Sequence, residues 1–158
     1  MIKQDLKKVM RKVVERYPEL REASKKKIDF SKKDVISAAS DIDTLYFNPK
    51  YFKGLSEEER IGVVAFILTE SQLRLVERAK DKNLDMWTLA CNATIIEKLR
   101  QDGLKLPKEG ISFKEAKDKT VDEVYEVLQG LGRSFEEIVD EASKNKSIQN
   151  FMEEEKEI

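Results

Sequence analysis

"GVVAFILTESQLRL", residues 62–75, decides the fold. From Gly62 to Leu68 it carries no charge, and a helix apolar on every side has to be surrounded by the rest of its domain. Just before it, Ser56 and Glu59 hold the spacing of a capping box. In that device the Ser side chain accepts from the Glu backbone N–H while the Glu side chain accepts from the Ser N–H. A helix start is therefore marked at residue 56. The pattern carries the helix to about Lys80, with Leu73 and Val76 inward and Glu77, Arg78 and Lys80 outward.

Working outward, Ile2, Leu6, Val9, Met10, Val13 and Tyr17 recur at helical spacing among lysines and arginines. That predicts an amphipathic surface helix, ended or bent near Pro18. Between 27 and 49 the period shortens. "KIDFS" (27–31), "DVISAAS" (34–40) and "TLYFNP" (44–49) are short, β-branched or aromatic, and separated by polar turns. They predict three short strands in a small antiparallel sheet. A further helix is expected over about 85–102, "DMWTLACNATIIEKLRQD", opened by Asp85 and stopped at Gly103. An ordered loop follows. Thr120 with Glu123, and Ser134 with Glu137, are two more capping boxes, expected to open the last two helices, and the tail 150–158 is expected to fray. The predicted class is α+β, mostly α, in one domain over residues 1–158.

Composition narrows the function. Charged residues reach 39%, against about 25% in ordinary soluble domains. The excess is mainly Lys and Glu, the direction taken by proteins of hot environments. Thirty basic residues face 31 acidic ones, so no overall basic field argues for nucleic acid. The lysine clusters "LKKVMRK" (6–12) and "SKKKIDFSKKD" (24–34) have acids nearby and read as solvated surface. The start of the chain lacks the apolar core of a signal peptide, and no run approaches a membrane span. A single cysteine, Cys91, cannot form an intramolecular disulfide, and it fits a reducing compartment. A cytoplasmic protein is the expectation.

The histidine count is zero. Imidazole is thereby excluded as base, proton shuttle or metal ligand within this chain. Ser-His-Asp and Cys-His arrangements go with it, and one cysteine cannot build a thiolate zinc site.

The order of pieces carries a resemblance. "SAASDIDTLYFNPKYFKGLSEEERIGVVAFILTESQLRL" (37–75), then "DMWTLACNATIIEKL" (85–99), then "GLKLPKEG" (103–110) and "TVDEVYEVL" (120–128) resemble the zinc-dependent metallopeptidase domains, zincin-like, that precede von Willebrand A-like domains. The likeness is strongest over residues 34–128. Its landmarks are Tyr46, Asn48 and Pro49 at a strand end, Leu55, Ser56 and Glu58 at a helix start, and Trp87 at the next helix. The resemblance implies a His-Glu-x-x-His on the helix after Ser56, a further His downstream, and an Asp five residues beyond the Trp. In that register this chain has Phe66 and Glu70 for the two histidines and Ile67 for the catalytic Glu. The downstream His falls near Leu75, and Asn92 stands for the Asp.

Two histidines four apart on one helix face hold the metal, and the Glu beside the first activates its bound water. Phe66 and Ile67 remove a ligand and the base together and leave hydrocarbon. Glu70 and Asn92 could contribute to an oxygen-rich site, but magnesium or calcium takes about six oxygens. Glu70 is therefore expected on a polar stripe or paired with an Arg or Lys. Trp87 is expected in the core, with the lining of a ligand pocket as its sharper reading, and Cys91 as an inert small hydrophobe.

These readings converge on a pseudoenzyme, a non-catalytic scaffold or protein-interaction module with no metal and no cofactor. The resemblance implies a partner on a separate chain, an AAA-type ATPase or a von Willebrand A-like protein, and neither nucleic acid nor membrane is expected to bind. The rivals are a carboxylate-based divalent-metal hydrolase and a nucleic-acid-binding protein.

Overall fold

A computed structural model of the protein describes residues 2–32, 34–35, 37–106 and 116–130. The first helix, α1 (Ile2–Arg16), buries Leu6, Val9, Met10 and Val13 along one stripe and turns its lysines and arginines to solvent. Tyr17 ends it, followed by a short 3-10 turn at Pro18–Leu20 and the four-residue α2 (Arg21–Ser24).

Three short strands follow: β1 (Lys27–Asp29), β2 (Ala38–Ser40) and β3 (Thr44–Phe47). The sheet order is β1-β3-β2, with β2 antiparallel and β1 parallel to β3. The sheet is mixed, where antiparallel pairing throughout was expected. A three-residue turn at 41–43 joins β2 and β3 as a hairpin, so the longer segment after β1 carries the chain past β3 to its far side. Every residue of β2 is buried, and its small side chains let it lie against the central helix.

Asn48 stops β3 and at once caps a short helix that periodicity did not reveal, α3 (Pro49–Lys53). Its side chain accepts from the N–H groups of Lys50 and Tyr51, and Pro sits at the first helical position, where its missing N–H costs nothing.

The central helix α4 (Glu57–Gln72) opens on the predicted box. Ser56 Oγ accepts from the Glu59 N–H at 3.2 Å, and Glu59 accepts from the Ser56 N–H at 3.1 Å. It packs against α1, α2 and β2, and against α6 (Leu84–Gln101), which is why it is apolar nearly all round. It ends at Gln72, short of the expected Lys80. Arg74 takes a left-handed φ of 57° and breaks the helix, and the chain restarts as α5 (Leu75–Arg78).

Asn83 rather than Asp85 caps α6, its side chain accepting from the Met86 N–H, and Gly103 leaves the helix at φ 84°. The last described helix, α7 (Val121–Gly130), starts on the Thr120–Glu123 box and packs on α6. The expected box at Ser134–Glu137 and the tail 150–158 lie outside the described residues.

Two contacts pin the ends of these helices. Tyr17 donates to Asp102 Oδ2 at 2.7 Å, tying the end of α1 to the end of α6. Burial, helped by that bond, pushes the Tyr17 phenol up to about 12. At the other contact, α4 meets the segment after α6 so closely that a Cβ on Gly62 would lie 2.3 Å from the Lys105 carbonyl oxygen. Only a residue without a side chain fits there. Gly62→Ala is expected to cost about 1–3 kcal/mol through overpacking against backbone, read as a lower urea midpoint at unchanged slope. A neutral result would show that the 105 segment moves aside freely.

Candidate functional site

The positions singled out by sequence fall on the second half of α4 and the first half of α6, two helices in contact. Phe66 and Ile67 are buried within the main hydrophobic cluster, together with Val64, Ala65 and Leu68. Leu75 is buried in the same cluster at the start of α5.

Glu70 is buried too, with 9% of its surface exposed. It lies on no solvent-facing stripe and, among the described residues, pairs with no Arg or Lys, which corrects the expectation. Its partner is Ser40 of β2, whose hydroxyl donates to Oε1 at 2.8 Å. Burial pushes the Glu70 carboxyl above the usual carboxylate range, and the Ser40 bond only partly offsets that. A buried carboxylate without a cation among the described residues is costly, which favours its protonated form.

Ser40 was missed by sequence reasoning. It lies 30 positions from its partner, and a seryl side chain in a run of small residues gives no periodic signal. The smallness of "AAS" (38–40) was the one available hint, since it permits close approach to a helix.

Asn92 lies on α6 with none of its surface exposed. Among the described residues neither end of its amide has a hydrogen-bond partner, and the same holds for the buried Ser71 hydroxyl. A group left so in a dry core costs about 1–3 kcal/mol.

Trp87, one turn into α6, is 2% exposed. Its indole N–H donates to the Leu75 carbonyl at 2.9 Å, and its ring meets Tyr125 of α7 edge-on at 5.6 Å. Arg78 and Lys82 each sit 5.5 Å from the Trp87 ring centre. Tyr125 in turn accepts from the Asn83 N–H at 2.8 Å. These contacts bind α5, α6 and α7 into one packed corner. Cys91 is buried in the core.

A family model described as "Putative metallopeptidase domain" matches residues 2–156, nearly the whole chain. The chain belongs to that family. No curated protein and no solved structure is a match for it.

Among the described residues, the side chains at the positions the resemblance assigns to the motif do not fit zinc. Zinc sites take their ligands from His nitrogen, Cys sulfur and carboxylate oxygen, three or four at a time. The chain has no histidine and one cysteine. Among the described residues no group of three or more His, Cys, Asp or Glu side chains could hold a metal ion. Glu70, the one carboxylate in the register, already accepts a hydrogen bond from Ser40. Nor is any described helix long and apolar enough to cross a membrane.

Proposed function

We propose that this chain is a non-catalytic member of the metallopeptidase domain family, kept as a scaffold or protein-interaction module in the cytoplasm. One observation carries the reading. The positions that the resemblance assigns to the metal-binding motif hold Phe66 and Ile67, inside the hydrophobic cluster, and Glu70, bonded to Ser40. Water activation by a metal needs several ligands and a base; Phe66 and Ile67 can supply neither, and Glu70 is a single carboxylate already bonded to Ser40.

The resemblance suggests the partner, an AAA-type ATPase or a von Willebrand A-like protein on another chain. The outer face of α1 supports a docking role. Lys3, Lys7, Lys8 and Arg11 are all exposed there, and among the described residues none is in a salt bridge. An excess of basic charge steers association with an oppositely charged surface.

Hydrolysis assays on unstructured protein and peptide substrates, with zinc or manganese supplied, test the catalytic half. The expected rate is that of the protein-free blank; cleavage abolished by a chelator would overturn it. For the module half, tagged protein should retain a partner of one of the two named kinds. A Lys7→Glu, Arg11→Glu double variant should lose it. Strictly monomeric behaviour with no specific partner would count against the module.

A further inference from the structure

Asn92 shares with Ser71 a problem that several other polar side chains of the interior solve within the protein. Thr69 donates to the Ala65 carbonyl at 2.7 Å, Thr94 to the Ala90 carbonyl at 2.6 Å, and Ser40 to Glu70. Ser71 carries a single hydroxyl, a smaller polar demand than a side-chain amide. The Asn92 amide has two N–H donors and an oxygen with two lone pairs, and among the described residues nothing meets any of them. Flipping the amide does not help, because both ends lack a partner. Its surroundings along α6 are Leu89, Cys91, Ala93, Ile95 and Ile96, every one buried.

Buried side-chain amides in folded proteins are nearly always hydrogen-bonded, either to protein or to ordered water. Internal waters typically make about three hydrogen bonds to such otherwise unsatisfied groups and belong to the structure. A leucine, close in size, would fill the same position without any polar demand.

We propose that Asn92 is an internal hydration site, with at least one ordered water molecule bonded to its amide inside the core. The site is independent of whether the chain is catalytic. It places a small polar compartment on α6, among the buried hydrophobic side chains of that helix.

Oxygen-17 magnetic relaxation dispersion on the full chain tests this, because it registers only waters held for longer than the tumbling time. The wild type is expected to show a long-lived contribution that Asn92→Leu loses. Equal amplitudes in the two folded proteins would overturn the proposal. Should Asn92→Leu fail to fold, a high-resolution crystal structure of the wild type decides. An ordered water about 2.7–3.2 Å from Asn92 Oδ1 or Nδ2 supports the site, and a dry amide there refutes it.

Discussion

Truncating Trp87 to Ala is expected to cost about 3–5 kcal/mol of stability, the range for deleting a large buried aromatic. The size follows from what the ring holds. It is 2% exposed, it stacks edge-on against Tyr125, and its N–H satisfies the Leu75 carbonyl. Ala leaves a cavity where three helices meet and strands that carbonyl. Trp87→Phe keeps most of the apolar volume but removes the donor, so its cost should be smaller, about 1–3 kcal/mol. Far-UV circular dichroism in a urea titration reads both variants at constant slope. This is the only tryptophan in the chain, so its emission also reports the site directly. A blue-shifted band resistant to iodide is expected. Ready quenching, with a loss below about 1 kcal/mol on truncation, would instead put the ring in an open ligand cleft.

Replacing Glu70 by Gln should make the protein more stable at neutral and alkaline pH, by a margin that shrinks to nothing under acid. The sign follows from linkage. Burial raises the folded-state pKa of Glu70 above its unfolded value of 4.5, so the folded state holds a proton that the unfolded state releases. The stability carried by the protonated acid is fully present below pH 4.5 and is lost as pH rises toward the folded value. Across that window one proton of difference lowers stability by about 1.4 kcal/mol per pH unit. Gln cannot ionise, keeps an oxygen for the Ser40 hydroxyl, and removes the slope. Asp29, Glu57 and Glu123, whose pKa values are lowered by their hydrogen bonds, act in the opposite direction. They are common to both proteins and cancel in the difference. Chemical denaturation from pH 4 to pH 9 checks this, and a difference flat across the range would mean that Glu70 is ionised and solvated.

Legibility in the sequence varied with the kind of interaction responsible. The central helix was readable because its start is local chemistry, Ser56 against Glu59, and because an apolar run without polar interruption can only be interior. Its end was not. The break depends on Arg74 adopting a left-handed conformation, which an arginine takes only when the surrounding fold imposes it, and no glycine marked the place. Similarly, Asn48-Pro49 was read only as a strand stop, although Asn before Pro is also a helix-opening signal. Strand period predicts that strands exist but not their order, so the mixed sheet was out of reach. In the candidate site, the register of Phe66, Ile67 and Glu70 was what the resemblance implied, and all three lie on one helix. The Ser40 bond arises from tertiary packing of β2 on α4, and nothing in either segment alone announces it.

The most direct test of a motif position converted to core is metal stoichiometry. Purified protein would be stripped with a chelator, equilibrated with zinc or manganese, passed through a desalting column, and measured by inductively coupled plasma mass spectrometry. The expected result is far less than one ion per chain for either metal, in wild type and Glu70→Gln alike. Stoichiometric retention by the wild type, lost in Glu70→Gln, would contradict it and return a metal centre to this helix.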